Sequence, residues 1–221
     1  MSPGEFCYFD SYQDAPDSQP EAIGGYLPLS KVYSFNPVPD TLSADKVQLV
    51  YGVQANLFTE YIPTPEHAEM MIYPRILALA EVAWSAPSVK NYDDFHVRAL
   101  KEVEALKAEG YHPFELKNEI GNRPGADQPV QHLAVGKKVA YGPDAAYYPG
   151  YSAGGDSALV DGVIGGWTYG DRRWQGFIDK KRMDVTIDME KETEIHSVGA
   201  DFMQAVSYTH LRAHETSAHL V

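Results

Sequence analysis

The chain is predicted to be an α/β unit followed by a β unit, on three observations. Residues 49–58 form an almost unbroken apolar run, the character of a strand covered on both faces of a parallel sheet. Two amphipathic helical stretches follow it. Far downstream the helical period gives way to alternation: Met183, Val185, Ile187 and Met189 interleave with Arg182, Asp184, Thr186 and Asp188, the signature of a half-buried strand. With 44% apolar and 22% charged residues in a chain of 221, the composition is that of a globular protein able to bury a core of useful size.

Taken in order, Phe6-Cys7-Tyr8-Phe9-Asp10 reads as a short buried strand. Pro16, Pro20, Gly24, Gly25 and Pro28 mark a long loop, and Ser43 is placed to cap a short helical turn. The apolar run 49–58 is the second strand. Thr64, Pro65 and Glu66 supply a cap, a first-turn proline and a dipole-compensating carboxylate. Ala68, Ile72, Ile76, Leu79 and Ala83 then follow at helical spacing on one face, with Pro74 set to kink or restart the helix. The next helix is capped by Asn91, has Asp93 and Asp94 in its first turn and Phe95, Ala99, Val103 and Leu106 as its stripe, and stops at Gly110. Residues 115–132, rich in Gly and Pro, read as a linker. Beyond them the reading is β, with 195–202 as a further candidate strand.

Charge and cysteine usage exclude several functions. Eighteen Lys and Arg against thirty-one Asp and Glu leave a net charge of −13, which argues against nucleic acid, whose binding rests on basic side chains that neutralise phosphates. No apolar run approaches the roughly 20 residues needed to span a bilayer, so no membrane insertion is expected. Cys7 is the only cysteine, which rules out an internal disulfide and a thiolate metal cluster. His210 and His214 have the spacing of a helical zinc pair, but Leu211 stands where the general-base Glu of such a motif belongs. Residues 207–221 therefore read as a non-native tail. No cofactor is implied.

Several motifs carry a resemblance. Tyr8-Phe9-Asp10, Val32-Tyr33-Ser34-Phe35-Asn36-Pro37, Gly52-Val53-Gln54-Ala55-Asn56-Leu57-Phe58-Thr59-Glu60, Tyr73-Pro74-Arg75 and Ala80-Glu81-Val82-Ala83-Trp84 stand in the order found in glycoside hydrolase family 20, the β-N-acetylhexosaminidases. The chain resembles the C-terminal end of that catalytic domain over residues 3–114. The resemblance implies the closing part of a (β/α)8 barrel, with Tyr8 and Asp10 ending the seventh strand and Phe58 and Glu60 the eighth. It further implies hydrolysis of terminal non-reducing N-acetylhexosamine, with the substrate's own acetamido oxygen as nucleophile and retention of configuration.

Residue by residue, the resemblance makes Tyr8 the donor that orients the acetamido oxygen, and Asp10 and Glu60 acceptors for outer sugar hydroxyls. Phe58 would be one wall of the acetamido box, where the family usually has a tryptophan. The adjacent Asp-Glu pair that supplies the general acid belongs to an earlier strand, and its usual setting, His-x-Gly-Gly-Asp-Glu, does not occur here. Asp93-Asp94 is better read as a helix-dipole pair, and Glu81 as structural; His67 and His112 read as surface residues. The chain is thus expected to be an inactive fragment of a periplasmic or extracellular exo-glycosidase whose partners are N-acetylhexosamine-containing glycans.

Residues 133–206 resemble the opening part of a discoidin-like, galactose-binding-like sandwich, on Tyr151-Ser152-Ala153-Gly154-Gly155-Asp156-Ser157-Ala158-Leu159-Val160-Asp161-Gly162, Gly166-Trp167, Trp174-Gln175-Gly176-Phe177 and Val185-Thr186-Ile187-Asp188. Asp156 and Asp161 are weak calcium candidates by that likeness, turn formation being the alternative. Trp167 and Trp174 are open to sugar stacking or core placement. The expected domains are 1–114, a linker 115–132, a truncated sandwich 133–206 and the tail 207–221. A non-catalytic carbohydrate-binding module is the alternative function.

Overall fold

The computed structural model describes residues 1–126, 128–178 and 183–203. The first half is helical around a core of aromatic and aliphatic side chains. α1 (Gly4–Cys7) leads into the Tyr8–Asp10 segment, and α2 (Leu29–Tyr33) and α3 (Ala44–Val47) follow. α4 (Pro65–Ile72), α5 (Arg75–Trp84) and α6 (Tyr92–Ala108) complete it. Cys7, Phe9, Leu29, Val32, Leu79, Phe95 and Val103 are buried together, so the core joins α1, α2, α5 and α6.

The helices form where local chemistry directs them. Thr64 accepts from the backbone N–H of His67, and Pro65 occupies the first helical position of α4. Asn91 accepts from Asp94 N–H at the start of α6, whose stripe Phe95, Ala99 and Val103 is buried. Gly110 ends it at φ +91°, a conformation that favours glycine. Ser43 precedes α3 without a side-chain capping bond.

Four expectations are corrected. The aromatic run at 6–10 is not a strand: the N–H groups of Phe6 and Cys7 donate to Pro3 O at 3.1 and 3.0 Å, spending them in α1. One parallel bridge remains, Tyr8 to Asn56, made by Asn56 N–H to Cys7 O (2.7 Å) and Phe9 N–H to Asn56 O (2.8 Å). Residues 49–58 likewise do not form a strand covered on both faces. Val53, Ala55 and Leu57 pack on the core, whereas Leu49 is 62% and Tyr51 93% exposed. The single apolar face across 68–83 is broken at Pro74, which separates α4 from α5 and resets the helical phase. Met71 is buried before the break, and Ala78, Leu79 and Val82 after it, while Ala83 is exposed. His67 is buried rather than on the surface.

In the second half, β1 (Lys138–Tyr141) pairs antiparallel with β2 (Val185–Asp188), Val139 opposite Ile187. The alternation therefore marks a strand, although Ile187 stays 37% exposed. This pair is the one sheet among the described residues, and 195–202 holds no strand, with Val198 and Phe202 exposed. His210, His214 and His219 lie outside the described residues. The two halves are tied through the 115–132 segment. Asp14, almost fully buried, accepts from Ile120 N–H at 2.7 Å and Gly121 N–H at 2.8 Å, and Trp167 Nε1 donates to Gly121 O at 2.8 Å.

Candidate functional site

The Tyr8–Asn56 bridge decides the site's geometry. Because the two segments run parallel from that point, the residues that follow, Tyr8 to Asp10 on one and Phe58 to Glu60 on the other, leave the core together. Phe9 turns inward and is buried, and Leu57 packs beside the core. Their neighbours Tyr8 and Phe58 turn to the other side, as alternation requires. The Tyr8 and Phe58 rings lie 5.7 Å apart between centroids at 39°. Phe58 is 57% exposed and Tyr8 half-buried, so the pair presents an apolar face to solvent.

The two acidic residues differ in exposure. Asp10 is 6% exposed, and burial pushes its carboxyl above the usual carboxylate range; the Arg75 charge opposes that rise and the Glu60 charge adds to it. Glu60 is exposed. Of the four residues expected to act together, the structure brings the rings of Tyr8 and Phe58 into contact, with Asp10 two residues beyond the one and Glu60 two beyond the other, close enough for the Glu60 charge to bear on Asp10. Such a set offers a flat surface to the C–H face of a sugar ring and acceptors to its hydroxyls.

Three buried polar groups behind the site were not given roles from sequence. Arg75, fully buried, donates to backbone carbonyls of the Phe9–Ser11 segment and stacks its guanidinium over the Phe9 ring, 4.9 Å from the centroid. Gln13 Nε2 donates to Met70 O at 2.5 Å, joining the loop after Asp10 to α4. His67 lies on the same helix, and burial lowers its imidazole below the usual histidine range. Arg75 was visible within the Tyr73-Pro74-Arg75 motif, but no local pattern tells that an arginine opening a helix is buried.

Other candidates resolve into structural roles. Glu81 accepts from Tyr33 Oη at 2.8 Å and from both Nη atoms of Arg98 at 2.7 and 2.9 Å, which holds its carboxyl below the usual range. Asp94 pairs with Arg98 at 2.9 Å, four residues on. His112 is exposed and bound to Glu69. Asp156 accepts from Tyr147 Oη and Asp161 from Val163 N–H, both at 2.8 Å, and no cluster suited to a metal ion occurs among the described residues. Trp174 Nε1 donates to Gly166 O at 3.1 Å, so both tryptophans spend their N–H groups inside the fold.

Residues 1–87 match the family described as Glycosyl hydrolase family 20, catalytic domain. The chain is 48% identical over 96 residues to a beta-hexosaminidase of Porphyromonas gingivalis, covering 43% of this chain and 12% of that protein. A beta-N-acetylhexosaminidase of Cellulomonas fimi is 34% identical over 103 residues, 47% of this chain and 21% of its own length. The chain therefore spans only about an eighth to a fifth of these relatives. Among solved structures, the family 20 exo-β-N-acetylglucosaminidase of Vibrio harveyi, in complex with N-acetylglucosamine, is 28% identical with a TM-score of 0.44, over 52% of this chain and 18% of that one. The enzyme of Streptomyces coelicolor is 26% identical with a TM-score of 0.45, over 51% and 23%.

Proposed function

We propose that residues 1–114 supply the sugar-recognising part of an exo-acting β-N-acetylhexosaminidase that releases terminal non-reducing N-acetylhexosamine with retention. In this reading the Tyr8 hydroxyl donates to the acetamido oxygen and holds it in line with the anomeric carbon. Orientation of an intramolecular nucleophile is worth up to roughly 7–11 kcal/mol in ideal cases. Phe58 forms an apolar wall for the acetamido methyl, and Asp10 and Glu60 accept from outer hydroxyls. The observation that carries the reading is the contact of the Tyr8 and Phe58 rings on two segments joined by one bridge, each with a carboxylate two residues further on. Relatives over the same segment bear hexosaminidase names, which supports it.

The general acid is not among these four groups, so the chain alone is expected to bind the sugar weakly, at roughly millimolar affinity, and to hydrolyse nothing. The test is titration of the chain with N-acetylglucosamine followed by NMR. Resonances of Tyr8 and Phe58 should shift, Glu60→Ala should remove the effect, and Asp93→Asn, at the start of α6, should leave it. Shifts that survive Glu60→Ala would refute the assignment. No nitrophenol should be released from the N-acetyl-β-glucosaminide above blank.

A second reading, a non-catalytic carbohydrate-binding module within a discoidin-like 133–206 unit, draws on one observation. The rings of Tyr148, Tyr151 and Tyr169 are exposed and in mutual contact, at 6.0 Å from the first to the second and 5.8 Å from the second to the third. Glycan binding that persists in Glu60→Ala and vanishes in Tyr151→Ala would favour it.

A further inference from the structure

We infer that Arg75 is a positioning residue of the sugar site: by gripping the carbonyls on either side of Asp10 it aims the Asp10 carboxylate at the hydroxyl that carboxylate receives. The inference rests on the role proposed above for Asp10.

A guanidinium has five N–H donors in a rigid planar fork. Those of Arg75 are spent on main-chain oxygens. Nε donates to Met71 O at 3.1 Å and Nη2 to the same oxygen at 2.6 Å; Nη1 donates to Ser11 O at 2.9 Å and Leu27 O at 3.1 Å; Nη2 also donates to Phe9 O. Five bonds to four carbonyls account for the whole fork, so no N–H of Arg75 is left to occupy the Asp10 carboxylate. Phe9 O and Ser11 O flank Asp10 in the chain. Holding both fixes the main chain of Asp10 from two sides, and with it the direction in which the side chain leaves.

The buried charge acts on Asp10 through space as well. Two charged groups bear on that carboxylate: Arg75, from the start of α5, favours its ionised form, and Glu60, from the partner segment, disfavours it. The reciprocal effect is present, since Asp10 opposes the downward pull of burial on the guanidinium. Arg75 therefore does two things for a carboxylate it does not touch by hydrogen bond. It sets the direction, and its charge opposes the rise that burial, with a smaller contribution from Glu60, imposes on the carboxyl. Lysine, with three donors on a flexible stem, reproduces the charge but not the grip.

The test reads the unsubstituted chain first. The carboxyl carbon of Asp10 and the guanidinium nitrogens of Arg75 are followed by NMR across the acidic range; both should inflect at one midpoint, above the ordinary carboxylate value. Glu60→Gln, an exposed change that should leave the fold intact, should lower that midpoint. Arg75→Lys should weaken N-acetylglucosamine binding about tenfold or more, the loss typical of a displaced charged acceptor, with Asp10 still titrating near its original midpoint. Arg75 signals blind to Asp10 titration, or a midpoint unmoved by Glu60→Gln, would overturn the inference even if sugar binds. A shared midpoint in a chain that binds no sugar would instead support the coupling and remove the role proposed for Asp10. Should Arg75→Lys fail to fold, the unsubstituted chain and Glu60→Gln still decide.

Discussion

In the proposed sugar site the recognition chemistry falls to single side chains, and their effects differ by what each leaves behind. Tyr8→Phe removes one hydroxyl and keeps the ring that meets Phe58, so the site should stay assembled and lose only a hydrogen bond, about 0.5–1.5 kcal/mol of sugar affinity by calorimetry. Asp10 makes binding pH-dependent. Burial raises its folded midpoint, so acceptor strength should be lost on acidification above the pH at which an ordinary aspartate protonates, and Asp10→Asn should abolish that dependence. The stability effect has the opposite sense. The folded state holds the proton more tightly than the unfolded one, so this group destabilises the fold while ionised, and that cost is relieved as the pH falls through the folded midpoint. Tyr8, Asp10, Phe58 and Glu60 were singled out in the sequence through the family resemblance of two motifs, each of which places an aromatic and an acid two positions apart. Arg75 was not assigned a role, because its five bonds reach back 4, 48, 64 and 66 residues to carbonyls that no spacing rule connects to it.

Elements show where sequence is informative. α6 was legible from cap to stop, because Asn91, the Asp93-Asp94 pair, the Phe95 stripe and Gly110 all act within a turn or two of themselves. Asn91→Ala should cost about 1 kcal/mol in thermal or denaturant unfolding, since Asp94 N–H loses its acceptor. The strand expectations fared differently. Apolar content at 6–10 and 49–58 identified segments that meet, but a strand is defined by its neighbour, and α1 consumes the N–H groups of Phe6 and Cys7 before they can pair. Alternation at 183–189 did mark β2, yet nothing in it identified β1 as the partner. The Pro74 break was anticipated; its consequence, a rotated buried face in which Ala83 gives way to Val82, depends on packing that the spacing of Ala68, Ile72 and Ile76 does not contain.

At the scale of the molecule, the loop that begins at the proposed sugar site also fastens the second half. Asp10 starts it and Asp14 ends it, four residues later, with its carboxylate buried against the N–H groups of Ile120 and Gly121. Gly121 in turn offers its carbonyl to Trp167, and Arg123 Nη1 donates to Gly165 O at 2.9 Å. A Gly- and Pro-rich segment that composition reads as a free linker is thereby pinned at its entry. Removing the Asp14 carboxylate leaves two N–H groups without acceptors, each costing about 1–3 kcal/mol if it stays buried, so the segment should lift off rather than pay that penalty. Limited proteolysis should therefore cut Asp14→Ala between residues 115 and 132 several-fold faster than the unsubstituted chain, while Asn91→Ala, which removes a helix cap and none of these bonds, should not change the cleavage pattern. Equal cleavage rates would mean that the segment is held by its other contacts, among them those of Trp167, Arg123 and Arg173, and not by Asp14.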